Sequence, residues 1–233
     1  INFPKRKILY ANLIENLRYG ENPHQLGAFY SQNKKNKLEQ IHGKTLSYNN
    51  YNDILAAITI SKSLPKNIGT VIVKHGNPCG VSALKNNLDS YKSALETDPI
   101  SAFGGIVSCN YKVTQKLALM LNQIFLEVVV ANGFDKKALK ILKSKKNLRL
   151  IDSSKISFNE VWKFNSLDNF TLMQSEDKKV FSKKDFRIVS KRQPSKSQFD
   201  NLMFAFNVCR FTKSNAIVLA SNKSTIGIGS GQP

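Results

Sequence analysis

Short apolar runs recur along the chain, separated by segments whose apolar positions return every three or four residues. TVIV at 70–73, GIVSC at 105–109, EVVVA at 127–131 and LRLI at 148–151 are each bounded by polar or Gly/Pro/Asn-containing segments, the signature of buried strands. Between them lie helical patterns. Ile54, Ala57, Ile58 and Ser61 share one face of a helix over 52–64, and a second helix is expected over 88–97. Val113, Leu117, Met120, Leu121 and Ile124 mark a third, and Ala138, Leu139 and Leu142 a fourth over 135–145. Strand alternating with helix predicts a parallel α/β architecture. The rhythm breaks over 152–184, a polar stretch with scattered aromatics (Trp162, Phe164, Phe170) that reads as a connector or small hairpin.

The pattern resumes with FRIVS at 186–190, read as a strand. Ser195 with Gln198 then forms a capping box behind Pro194, and Phe199, Leu202, Met203, Phe206 and Cys209 form the expected core face of the helix that follows. NAIVLA at 215–220 and STIGIG at 224–229 read as a hairpin around Asn222 and Lys223. The expected organisation is an α/β unit over 17–151, a connector over 152–185, and the start of a second, truncated α/β unit over 186–233. A strand–helix–strand–strand remnant would bury too little surface to be stable alone.

Composition narrows the class. Hydrophobic residues make up 41% of 233 residues, and no apolar run approaches the ~20 residues of a membrane span. INFPKRKILY lacks the apolar core of a secretory signal, so a cytoplasmic location and no membrane partner are expected. Cys79, Cys109 and Cys209 are odd in number, far apart and free of a CxxC pair, which supports neither a disulfide framework nor a structural zinc site. The formal charge of +19 raises nucleic acid as a partner. The lysines, however, are scattered through NKKNK at 33–37, KSKK at 143–146 and SKK at 182–184 rather than gathered in a stripe. No nucleic-acid partner is therefore expected; the net field would instead draw small anions.

Candidate chemistry centres on KHGNPCG at 74–80. Lys74 and His75 finish an apolar strand, at the carboxyl end where parallel α/β proteins bind ligands, and Gly76, Pro78 and Gly80 shape a turn in which backbone approaches a ligand. Histidine exchanges a proton near neutral pH, and lysine stabilises developing negative charge. In RYGENPHQ at 18–25, Arg18 offers a planar fork for phosphate or carboxylate, Tyr19 a hydroxyl and a ring, and Gly20 room for close approach. DPISAFGG at 98–105 and GIGSG at 227–231 are glycine-bearing turns that, taken singly, need no ligand. A zinc deaminase would carry HxE followed by PCxxC. Here His75-Gly76-Asn77 lacks the glutamate and Cys79 lacks a second cysteine three residues on, so no metal is expected.

Taken together, LRYGENPHQ at 17–25, HGKTLSYNN at 42–50, VKHGNPCGVS at 73–82, DPISAFGGIVS at 98–108, SKRQPS at 190–195 and KSNAIVLA with TIGIGSGQ at 213–232 closely resemble the bacterial transformylase domain of bifunctional purine-biosynthesis proteins. That family joins 5-aminoimidazole-4-carboxamide ribonucleotide (AICAR) formyltransferase to IMP cyclohydrolase. The motifs run in family order across nearly the whole chain.

The resemblance implies two cytidine-deaminase-like α/β/α units, the first complete and the second truncated, without catalytic zinc. It implies formyl transfer from 10-formyltetrahydrofolate, a cosubstrate, to the 5-amino group of AICAR, in a homodimer whose active site lies between subunits. The family's catalytic pair falls on Lys74 and His75, and its orienting asparagine on Asn215. Arg18 and Tyr19 match phosphate-side contacts, while Asn49, Phe103, Gly104 and Glu127 match positions lining ribose and base. Beyond GIGSGQ the family continues with a Ser-Arg pair and segments that supply much of the folate pocket and a catalytic aspartate. Its cyclohydrolase domain precedes the RYGENPHQ region. Neither lies within these residues, so residues 1–16 are expected to be linker tail, and no cyclohydrolase activity is expected of the chain. The competing expectations are an AICAR-binding fragment without turnover and, third, a basic nucleic-acid-binding domain.

Overall fold

The computed structural model describes residues 3–32, 38–156 and 162–231. A two-stranded ribbon, β1 (Asn12–Leu17) and β2 (Gly27–Ser31), precedes β3 (Glu39–His42) and α1 (Tyr48–Ser63). Helix α1 starts at a capping box in which Ser47 and Asn50 satisfy each other's backbone amides. It stops at Leu64, where Pro65 disfavours further helix. Then follow β4 (Thr70–Lys74), β5 (Asn77–Ser82), α2 (Asn87–Thr97), α3 (Pro99–Ala102), β6 (Ile106–Cys109), α4 (Gln115–Leu121), β7 (Val128–Ala131), α5 (Lys136–Leu142) and β8 (Arg149–Asp152). A hairpin of β9 (Trp162–Leu167) and β10 (Phe170–Ser175) stands apart from the main sheet. The chain then runs through α6 (Lys196–Cys209), β11 (Ile217–Ser221) and β12 (Ser224–Gly229).

The main sheet has eight strands in the order β11-β12-β5-β4-β6-β7-β8-β3. Its sides alternate residue by residue. Val71, Val73, Val128 and Val130 face α1 and Val208 of α6, whereas Ile72, Val107, Val129 and Leu150 face α2, α4 and α5. The result is helix, sheet, helix. Each fully buried aliphatic side chain in these layers contributes on the order of 1.5–3 kcal/mol, so the two cores hold the sheet rigid beneath its loops.

The sheet is mixed rather than parallel: β6–β7 and β7–β8 are parallel, and the remaining pairings are antiparallel. One cause is β5, which the sequence reading took for a ligand-facing loop. Asn77 pairs with Lys74 directly across the two-residue turn His75–Gly76, and only an antiparallel pair can close over so short a connection. Pro78 is accommodated because β12, on the other side, meets β5 only at Ser82, so this position needs no second ladder partner.

Two further expectations change. Residues 186–190 form no strand; a short 3-10 turn over Lys183–Asp185 leads into extended chain. The expected core face of α6 is not the buried one. Ala205 and Val208 point into the core, while Leu202 and Phe206 are exposed. The hairpin around Asn222 and Lys223 forms as expected, with both residues at positive φ.

Candidate active site

The sequence-selected residues gather at one end of the main sheet, where β4 ends and β5, β6, β7 and β8 begin. This edge is the carboxyl end of β4 but the amino end of the parallel trio, so the usual parallel-sheet rule does not locate it. Antiparallel pairing of β4 with β6 brings it about.

Lys74 is the last residue of β4. Its Nζ donates to the backbone carbonyl of Phe103 at 2.9 Å, which leaves two ammonium hydrogens for a ligand. The carbonyl is offered by the bend after α3, a four-residue helix capped by Asp98, whose carboxylate accepts from the Ser101 amide at 2.9 Å. Hydrogen bonds from the Ser101 hydroxyl and amide, with Lys74 adding charge, hold the Asp98 carboxyl below its ordinary range. The Phe103 ring is exposed and leans on Phe125 at 5.3 Å, and Gly104, at φ +74°, donates its amide to the Phe125 carbonyl at 2.9 Å.

His75 and Gly76 form the tight turn between β4 and β5, with φ of +51° and +73°. The imidazole is exposed. Beneath the turn, Asp53 of α1 accepts from the Gly76 amide at 2.6 Å. Burial pushes the Asp53 carboxyl up, and the bond from Gly76 opposes that shift.

Glu127, just before β7, accepts from Asn50 of α1 at 2.8 Å and lies 3.7 Å from the largely buried Arg149. Its neighbour on α1, Asn49, donates to the carbonyl of Glu21 at 3.3 Å and so ties the 18–25 loop to the site. That loop closes on itself through Gly20 to Gln25 (2.8 Å) and Asn22 to Gln25. Gly20 approaches its own loop rather than open space. The Arg18 guanidinium is exposed and sits 5.5 Å from the Tyr19 ring centre. The first turn of α1 carries no acidic residue of its own, and the negative charge at its positive dipole end is the Glu127 carboxylate held by Asn50.

Asn215 follows α6. Its loop is drawn to the site by Asn77, whose side-chain carbonyl accepts from the Lys213 amide at 3.1 Å. Thus Lys74, Phe103, Gly104, Glu127 and Asn49 are linked through direct or one-residue contacts, and Arg18, Tyr19 and Asn215 are joined to them through loop backbone.

Sequence reasoning passed over Asn50, Asp53, Asn77 and Arg149. The first two were accessible, since Asn49, Asn50 and Asp53 fall on adjoining faces of one helix start. Arg149 lay hidden inside the apolar run LRLI at 148–151. Conversely, Gly80 faces no ligand. It lies buried against α2, and a Cβ there would meet the Ala94 carbonyl oxygen at 1.9 Å. Burial pushes the Cys79 thiol up to about 12, which keeps it a neutral packing group. Among the described residues, no group of three or more His, Cys, Asp or Glu side chains is placed to hold a metal ion.

A larger cavity of about 890 Å3 opens between α6 and β11, lined by Phe186, Phe199, Leu202, Phe206, Leu219 and Ile226 among others. None of the candidate site residues lines it.

A family model described as "AICARFT/IMPCHase bienzyme" matches residues 2–233. Curated relatives named "Bifunctional purine biosynthesis protein PurH" include that of Acetivibrio thermocellus, 40% identical over 99% of this chain and 46% of its own length. The PurH of Oceanobacillus iheyensis is 41% identical over 99% and 46%, and that of Leptospira biflexa 42% over 100% and 45%. The chain spans about half the length of the curated relatives it matches.

Proposed function

The chain belongs to the AICARFT/IMPCHase bienzyme family, and we propose that it carries the nucleotide side and reacting centre of a formyl transfer from 10-formyltetrahydrofolate to the 5-amino group of AICAR, a step in purine biosynthesis. The observation that carries the reading is the continuous set of contacts from the Asn49 and Glu21 pair, through Asn50 and Glu127, to Lys74 with Phe103 and Asn77 with Lys213. It assembles at one sheet edge motifs that are dispersed over about two hundred residues of sequence.

In this reading the exposed His75 imidazole accepts a proton as the amine nitrogen bonds to the formyl carbon. Lys74, braced by the Phe103 carbonyl, stabilises the oxyanion that forms, and as the bond from the formyl carbon to the folate nitrogen breaks it assists proton delivery to that nitrogen. Asn215 orients the reacting groups. Arg18 and Tyr19 take the phosphate, and Asn49, Phe103, Gly104 and Glu127 line ribose and base. No metal enters the reaction.

We read residues 17–151 as a cytidine-deaminase-like unit and 186–233 as the start of another, separated by a connector over 152–185 and joined in one sheet through β5 and β12. The helix–sheet–helix layering favours that reading. Two copies are proposed to associate, since Leu167, Phe170 and Leu172 of the β9–β10 hairpin are 79%, 76% and 75% exposed on a two-stranded sheet that would be marginal alone. The cytoplasm is the proposed location, where the three free cysteines stay reduced.

A second reading is AICAR binding without turnover, favoured by the direct tie of the nucleotide-side Asn49 to the 18–25 loop through the Glu21 carbonyl. Mixing the chain with AICAR and 10-formyltetrahydrofolate and following formyl-AICAR by mass spectrometry tests the proposal. Product above the uncatalysed background supports it. Calorimetric binding of AICAR without product supports the second reading, and absence of both overturns the two together.

A further inference from the structure

The two-residue turn at the end of β4 has a histidine where its backbone geometry does not favour one. A tight hairpin turn with positive φ at both central positions prefers Asn-Gly or Asp-Gly, because a Cβ at the first position is crowded in the left-handed region. Here that position is His75 at φ +51°, followed by Gly76 at +73°. Histidine tolerates this region better than most residues but is less favoured than Asn or Asp, so a hold from outside the turn adds to what the local sequence supplies.

Asp53 is placed to supply that hold. It stands in the second turn of a sixteen-residue helix fixed by its capping box and by the fully buried Ile54 and Ala57. Its carboxylate accepts from the Gly76 amide at 2.6 Å. The amide at the second position of the turn is therefore held by an acceptor on a rigid element. Asn50, one helical turn earlier, holds Glu127 at 2.8 Å, so the same helix face sets the turn and the opposite wall of the site. The charged and titratable groups nearest the carboxylate are the His75 ring and Glu127.

We infer that Asp53 is a positioning residue for the reacting centre: it fixes the left-handed His75–Gly76 turn by accepting the Gly76 amide, and so aims the imidazole without itself touching substrate. The inference rests on the formyl-transfer reading for its functional consequence, while its structural half stands separately.

The test uses Asp53→Ala, which removes the acceptor, and Asp53→Asn, which retains an uncharged one. In the unliganded chain, amide exchange at Gly76 followed by NMR should rise by at least ~10-fold in Asp53→Ala and return toward wild type in Asp53→Asn. In formyl transfer, Asp53→Ala should lower kcat by at least ~10-fold while the AICAR dissociation constant moves by less than about threefold, and Asp53→Asn should recover much of the rate. Equal Gly76 exchange in wild type and Asp53→Ala overturns the inference, as does a rate loss identical in both variants with the turn intact. If the wild type makes no formyl-AICAR yet Gly76 protection depends on Asp53, the formyl-transfer reading fails and the positioning stands. If turnover proceeds and Asp53→Ala leaves it unchanged, the reverse holds.

Discussion

Gly80→Ala and Gly76→Ala, four residues apart in one glycine-rich motif, should differ sharply in what they cost. At Gly80 an added Cβ would lie 1.9 Å from the Ala94 carbonyl oxygen and 2.8 Å from its carbon, both backbone atoms of α2. Nothing there can rotate away, so helix and strand must part by about 1 Å, and Tyr91 and Ala94 lose part of their packing against Ile72. Overpacking of this kind costs about 3 kcal/mol, a large share of the ~5–15 kcal/mol that holds a domain folded. At Gly76 the nearest atom to an added Cβ is Asn52 Nδ2 at 3.7 Å, so space is open and only the φ of +73° is unfavourable. That strain is about 1–2 kcal/mol, partly offset by ~0.4–1 kcal/mol from a less flexible unfolded chain. Urea denaturation followed by circular dichroism reads the difference. With a slope of about 2 kcal/mol/M, Gly80→Ala should lower the midpoint by roughly 1.5 M, and Gly76→Ala by well under half of that. A Gly80→Ala midpoint within about 0.5 M of wild type, or a larger loss in Gly76→Ala, would refute the claim that Gly80 serves the strand–helix contact rather than a ligand.

Other outcomes follow from the same contacts. Arg18→Ala should weaken AICAR binding by about 1.5–3 kcal/mol through loss of a charge-assisted phosphate contact, and an unchanged calorimetric affinity would remove Arg18 from the site. Asp98→Ala should destabilise the fold at neutral pH by ~0.5–2 kcal/mol through loss of the α3 cap. Because the folded Asp98 carboxyl lies below its ordinary value, its contribution is present above that value and lost as pH falls through the folded one. The gap between variant and wild type should therefore close in acid, and a gap independent of pH would contradict the cap. Light scattering at micromolar concentration should report a dimer, and Leu172→Lys should shift it toward monomer; a monomeric wild type would count against association through the hairpin.

Most elements were legible because their apolar periods are clean: the VVVA strand and the Ile54–Ala57–Ile58 helix face appear as the sequence reading placed them. Sheet direction was not legible, because it turns on β5, whose Asn, Pro and Gly read as loop although it pairs with β4 across a two-residue turn. The α6 face was misread for a related reason. Phe199, Leu202 and Phe206 have the helical spacing of a core, but they line an open groove instead. For the site, each motif was visible singly. What no motif revealed is the wiring between them: Asp53 under the turn, Asn77 holding the Lys213 loop, and Arg149 beside Glu127. Those contacts, two from backbone to side chain and one between charged side chains, join residues far apart in sequence and leave no periodic trace.

The central claim is that the turn at the end of β4 is a reacting centre, with proton acceptance assigned to His75 and charge stabilisation to Lys74. Steady-state formyl transfer by His75→Ala and Lys74→Ala, each paired with calorimetric AICAR binding, tests it most directly. Each variant should lose at least ~10²-fold in kcat, because the interactions removed belong mainly to the transition state, while AICAR affinity changes far less. Turnover near the wild-type rate in either variant, or a loss confined to AICAR affinity, would contradict the claim and leave that residue part of a nucleotide-binding loop.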